Sequence, residues 1–242
     1  MMRDVIVLAA GKNERLSGIV APYHKPLLVV NGKPLIVKAV DSVVNIAERD
    51  TMVVGPINVG RVVIVCSPSN AQSLVNVFAH TPYRRRIHWV IQPEAVGVVD
   101  AIARGAEVCT TEQVTVLCGD NLFDVAQLER VITSHEPSVA VSRMEHSPEC
   151  VRFTQVIGLD DNDDVKRVGR LPLSQLDEDG VTVWLGPVSL SREAISQSTL
   201  EADGHGSVDS VEDLINYSIS MTGPLCVVYG NTVDVGVPEM MP

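Results

Sequence analysis

Several groups of residues in this sequence have types and spacings suited to phosphate chemistry. Leu8-Ala9-Ala10-Gly11-Lys12-Asn13-Glu14-Arg15 sets two cations on a run of small residues behind an apolar segment. Small side chains let backbone N–H groups approach an anion, and Arg15 offers a planar fork to phosphate oxygens. The same run also suits an ordinary strand-to-helix turn with solvated Lys12 and Arg15. Lys25 is followed by Pro26, which holds the lysine in extended backbone. Gln92-Pro93 presents an amide able to donate and to accept, although Gln-Pro is also a way to stop a strand. Gly119-Asp120-Asn121 and Thr232-Val233-Asp234-Val235-Gly236 supply carboxylates, the hard oxygen ligands that Mg²⁺ prefers. A bare Gly-Asp pair is otherwise a common turn.

The elements around these groups can be read from their patterning. Val5–Ala9, Val62–Cys66, Ile87–Ile91, Val114–Cys118 and Val139–Ser142 are short β-branched runs, too short for amphipathic helices, and predict buried strands. Helical spacing covers Pro34–Ala47, Pro68–Ala79 with Ser67 as cap, Val98–Val108, and Val125–Ser134 after Asp124. Strand–helix alternation predicts a mostly parallel α/β sheet flanked by helices. Beyond Pro148 the pattern changes to strands at Phe153–Leu159 and Val181–Leu190, which predicts an antiparallel lobe. Helices at Arg192–Thr199 and Val211–Met221 and strands at Leu225–Tyr229 and Thr232–Val235 complete the chain. One domain over 1–242 is expected, with a strand–helix half (1–147) and a half carrying the antiparallel lobe (148–242).

A formal charge of -11 and a pI near 4.9 argue against nucleic-acid and anionic-membrane partners, which need a basic face. No apolar run approaches the roughly 20 residues of a membrane span, so a cytoplasmic protein is expected. Cys66, Cys109, Cys118, Cys150 and Cys226 form no C-x-x-C pair and are expected as free thiols.

In order and spacing, these segments resemble the sugar-1-phosphate nucleotidyltransferase family, which includes glucose-1-phosphate thymidylyl- and uridylyltransferases. The family opening L-A-[AG]-G-x-G-[ST]-R-[LM] corresponds to Leu8–Leu16, K-P-[LM]-[LV] to Lys25–Leu28, and G-K-P-[LM]-I to Gly32–Ile36. Q-P-x-x-x-G corresponds to Gln92–Gly97, L-G-D-N-[IL]-F to Cys118–Phe123, D-[IV]-G-T-P-E to Asp234–Glu239, and the helix E-L-T-D-A-[IL]-N to Val211–Asn216. The resemblance implies a Rossmann-like fold of nucleotide-diphospho-sugar transferase type with a small antiparallel sugar-binding lobe, one catalytic domain in which 1–147 form the nucleotide-binding half and 148–242 the sugar-binding half with the second metal ligand. It also implies an NTP substrate, dTTP or UTP favoured, a sugar 1-phosphate acceptor and Mg²⁺ as cofactor; homo-oligomers occur in the family.

By the same resemblance, Arg15 and Lys25 are the catalytic cations. Leu8, Ala9, Ala10, Gly11, Lys12, Asn13, Gln92, Gly97 and Gly119 bind the nucleotide, with Gln92 reading the base. Asn121, Gly158, Gly169, Arg170 and Gly186 face the sugar, and Asp120 and Asp234 hold the metal.

The sequence departs from the family at Asn13, which replaces a glycine, and at Val168-Gly169-Arg170-Leu171-Pro172, which replaces E-[EK]-K-P. Leu185-Gly186-Pro187-Val188 replaces [ST]-G-[IL]-Y, and Glu48–Gly60 is a longer link than usual. These departures leave open an acceptor that is a non-sugar phosphate, with CTP as donor, or a silent nucleotide-sugar sensor. A glycosyltransferase of similar fold would carry a D-x-D motif, and Gly119-Asp120-Asn121 is not one.

Overall fold

The computed structural model describes residues 2–11, 24–48, 58–148, 151, 153–176, 180–201 and 208–234. Its centre is a parallel set of strands: β1 (Met2–Leu8), β4 (Asn58–Cys66), β5 (Ile87–Ile91) and β6 (Gln113–Cys118). β1 lies between β4 and β6, and β4 pairs with β5, all parallel. Alternation along β1 sorts its side chains between two cores. Val5 and Val7 pack with α1 (Leu35–Glu48) and α2 (Ala71–Phe78) through Ile36, Val40, Leu74 and Phe78. Ile6 points the other way, into a core with Val99, Ile102 and Ala106 of α3 (Val98–Glu107). Because both faces are covered, the strands read as unbroken apolar runs.

The antiparallel part continues the same sheet. β11 (Val181–Ser191) pairs with β6 through Val188–Ser191, and with β9 (Thr154–Leu159) through Val183 and Trp184. Along its other edge β11 follows β8 (Ser138–Met144), with a register shift between Trp184 and Val188 where Gly186 and Pro187 stand. Pro187 cannot donate to a ladder, so the strand changes partner there. β10 (Val165–Gly169) pairs with β9, and β12 (Cys226–Tyr229) runs parallel to β8. Reciprocal hydrogen bonds between Val165 and Leu225 then bring the start of β10 back to the chain entering β12. α4 (Val125–Thr133), α5 (Arg192–Glu201) and α6 (Val211–Thr222) complete the helices.

Most expected elements are present within a residue or two. The helix expected over Pro68–Ala79 with a Ser67 cap is shorter, however, and Asn70 stands at its N-cap position. Buried Asn70 accepts from the Ser67 N–H (3.0 Å) and donates to the Ala9 carbonyl (2.7 Å), which keeps 67–70 a turn. The strand expected at Thr232–Val235 is present as β13 (Val233–Asp234), paired with β7 (Asn121–Leu122), whereas β7, the short pair β2 (Val29–Val30) with β3 (Lys33–Pro34), and β10 were not expected as strands.

Candidate active site

The chain leaves β1, adds β4 and β5 on one side, and then returns to add β6 on the other side of β1. The carboxyl ends of β1 and β6 therefore flank a topological switch point, where open α/β sheets leave a crevice for ligands. Their connections are tied together, since the Gly119 N–H donates to the Leu8 carbonyl at 2.8 Å. A Cβ on Gly119 would lie 2.9 Å from that carbonyl oxygen and 3.3 Å from Val7 Cγ1, so the approach needs glycine. Ala9 and Ala10 are buried, the Ala9 N–H donates to the Val65 carbonyl, and Gly11 is exposed with open space around it. Lys12, Asn13 and Arg15 lie outside the described residues.

At this edge Lys25 Nζ stands 3.6 Å from Asp120 Oδ2. Lys25 is not extended, contrary to the expectation from the proline after it; it opens a 3-10 turn with Pro26 in its first positions, His24 is the extended residue before it, and the Leu28 N–H closes the turn onto the Lys25 carbonyl. The Asn31-Gly32 turn that follows, with both residues at positive φ, folds β2 onto β3. β13 brings the other carboxylate position in, because Asp234 pairs through its backbone with Asn121, the neighbour of Asp120. That pairing is held from α4. Asp124 accepts from the N–H groups of Ala126 (3.0 Å) and Gln127 (3.1 Å), the expected cap, and also from that of Asn231 (3.2 Å). The Thr232 hydroxyl donates to Gln127 Oε1 at 2.8 Å, while Gln127 Nε2 donates to the carbonyls of Val141 and Val228.

Gln92 follows β5 and is only 3% exposed. Its backbone N–H donates to the Cys66 carbonyl at 2.8 Å. Nε2 donates to the Gly97 carbonyl (2.9 Å) and to Asp100 Oδ2 (2.8 Å), and Arg104 Nε donates to the same oxygen (2.8 Å). Burial pushes the Asp100 carboxyl up, but the hydrogen bonds from Arg104 and Gln92 outweigh it and hold it below the usual carboxylate range. Gly97 needs its positive φ of 144° where the 93–97 turn enters α3. Asp100 and Arg104 were not singled out in the sequence; their spacing of four on one helix face is the signal that could have found them.

The expected acceptor residues spread further out. Gly169 ends β10 beside Gln155, and Arg170 Nε donates to Glu212 Oε1 at 2.5 Å. Glu212, 8% exposed in the first turn of α6, also accepts from the Thr154 hydroxyl at 2.7 Å. Burial raises the Glu212 carboxyl, yet these hydrogen bonds leave it below its usual value. Gly186 makes room for protein, since a Cβ there would meet Ala140 and Thr232 at 3.3 Å. Gly158 lines a separate cavity of about 470 Å³ with Arg143, Thr182 and Tyr229.

The fold, a mixed and mostly parallel sheet flanked by helices, is shared with solved nucleotidyltransferase structures. It superposes on a candidate glucose-1-phosphate thymidylyltransferase from Bacillus anthracis with a TM-score of 0.75 at 19% identity, covering 99% of this chain and 92% of that one. With the inositol-1-phosphate CTP transferase from T. maritima the TM-score is 0.73 at 17% identity, covering 100% and 92%. Residues 5–206 match the MobA-like NTP transferase domain, and the chain belongs to that family of nucleotidyltransferases. The bifunctional protein GlmU of Methanococcus maripaludis is 26% identical over 143 residues, 59% of this chain but only 30% of that protein.

Two oxygen donors at adjoining backbone positions suit Mg²⁺, which commonly takes one or two carboxylates and completes its shell from water and substrate phosphates. Among the described residues no cluster of three or more His, Cys, Asp or Glu side chains forms a cage that would need no substrate. Likewise no described helix is long and apolar enough to cross a membrane.

Proposed function

We propose that the chain transfers a nucleoside monophosphate from an NTP, UTP or dTTP favoured, to a sugar 1-phosphate, giving an NDP-sugar and pyrophosphate. The observation that carries this reading is the approach of Lys25 to Asp120 at the switch-point crevice, where a cation and a carboxylate meet. An acceptor phosphate oxygen attacks the α-phosphorus in line; the new P–O bond forms as the α–β bridging bond breaks and pyrophosphate departs. Lys25 neutralises charge on the reacting phosphates, backbone N–H groups around Gly11 hold the triphosphate, and Arg15 stabilises the leaving group. Asp120 and Asp234 would hold Mg²⁺, which would supply further charge neutralisation on the phosphates. A phosphate oxyanion is already a competent nucleophile, so positioning and electrostatics suffice without a general base.

The Arg170–Glu212 pair at the family's E-[EK]-K-P position favours one second reading, a non-sugar phosphate as acceptor. The free thiols Cys66, Cys109, Cys118 and Cys226 are in keeping with a cytoplasmic enzyme. Pyrophosphate release from each NTP against a panel of sugar 1-phosphates with Mg²⁺ tests the proposal, with Asp120→Asn as blank. The variant should lose about 10²-fold or more in kcat with its melting temperature retained. Near wild-type release by a folded variant would remove Asp120 from the chemistry, and wild-type release only with alditol phosphates would install the second reading.

A further inference from the structure

Gln92 is buried, yet only one end of its amide is used. Both partners of that end, the Gly97 carbonyl and the Asp100 carboxylate, are acceptors. The group facing them must therefore be the NH₂, since the reverse orientation would set one oxygen against two others. Arg104 on the same Asp100 oxygen keeps the carboxylate ionised and hence unable to donate. Oε1 makes no hydrogen bond among the described residues and is the end of the amide left to meet a ligand donor.

Resting on the proposed nucleotidyl transfer and on the base-reading role that the family resemblance implies for Gln92, we infer that Asp100 is a positioning residue that selects the nucleotide. By holding the Gln92 NH₂ inward, it presents only an acceptor to the base. Uracil and thymine offer the N3–H donor that this oxygen requires, whereas cytosine offers the lone pair of an unprotonated N3 at the same place. The site therefore takes uridine and thymidine triphosphates and discriminates against CTP. Discrimination of this kind is strong because the mismatched base leaves buried polar groups unpaired.

The test is direct titration of UTP, dTTP and CTP with Mg²⁺ into the wild type, Asp100→Ala and Arg104→Ala, with thermal melting of each. The wild type should bind UTP or dTTP about tenfold or more tightly than CTP. In Asp100→Ala the amide can turn, and that ratio should fall to about threefold or less. Arg104→Ala removes the ion pair but leaves Asp100 on Gln92, and should keep the ratio; a merely structural role would move both variants alike. Equal or tighter CTP binding by the wild type, an unchanged ratio in Asp100→Ala, or equal relaxation in both variants overturns the inference while leaving nucleotide binding standing. Failure of every NTP to bind overturns the underlying reading as well.

Discussion

Replacing Gly119 by alanine puts one methyl group at the joint between β1 and the Asp120 loop. The new Cβ would lie 2.9 Å from the Leu8 carbonyl oxygen, 3.3 Å from Val7 Cγ1 and 3.5 Å from Ile36 Cδ1. The first is backbone and the others belong to buried core residues, so relief requires the loop to move. Overpacking of this kind costs about 1–3 kcal/mol, offset by about 0.4–1 kcal/mol from the stiffer unfolded chain. A net loss of about 1–2 kcal/mol lowers the melting temperature by about 2–8 °C for a chain of this size. The moved backbone also carries Asp120 away from Lys25. Misplacement approaching 1 Å is worth about 10²-fold in rate, so a shift of a few tenths should lower kcat about tenfold. Calorimetry and pyrophosphate release at saturating substrates read the two effects. Gly11→Ala, where a Cβ meets nothing within 4 Å, should leave the melting temperature in place. A Gly119→Ala protein with unchanged melting and unchanged kcat would refute the argument that this contact sets the position of Asp120.

Glu212 has a depressed folded-state pKa, so its contribution to stability is present above its unfolded value near ~4.3 and is lost as pH falls through the folded one. In acid titrations followed by circular dichroism, the stability gap between wild type and Glu212→Gln should therefore narrow below about pH 4; a gap constant from pH about 6 to about 3 would exclude the carboxylate as its source. Asp124→Ala should cost about 1–2 kcal/mol by uncapping α4, and Asp124→Asn should recover most of it. Equal melting temperatures for Asp124→Ala and the wild type in calorimetry would show that the cap contributes nothing.

The parallel strands were legible because each is buried on both faces and so reads as a Val/Ile run, as in Val62–Cys66. The cap at Asp124 was legible because capping is local. β10 escaped notice because Lys166 and Arg167 are exposed between buried Val165 and Val168, a pattern with neither strand nor helix period. β7 contains two residues and is a strand only because it pairs with β13, the strand that was legible at Thr232–Val235. The buried charges escaped for the same reason. Arg3 is 1% exposed and reaches the Ser134 carbonyl, Gln113 and Ser189, while Asp4 accepts from Arg61, Thr110 and Thr111. Nothing near either residue in sequence announces those partners. Of the candidate site, motif order indicated Lys25, Gln92, Gly119 and Asp120, but not what holds them.

What holds them separates residues that meet ligands from residues that fix the backbone under them. Gly119 and Gly186 both permit a close approach, yet what approaches is the Leu8 carbonyl in one case and Ala140 with Thr232 in the other. The Gly186 contact matters to the site indirectly. Thr232 lies two residues before Asp234, and it is fixed by Gly186 from one side and by Gln127 from the other. Gln127 in turn stands in the first turn of the helix that Asp124 caps. The backbone carrying Asp234 is therefore anchored to the loop of Asp120 through α4, in addition to the short β7–β13 ladder. A metal shared by two carboxylates demands close control of their separation, and two residues of ladder alone would fray. Side-chain hydrogen bonds from a capped helix supply that control, so substitutions at Asp124 or Gln127 should shift the proposed metal ligands Asp120 and Asp234 without removing either.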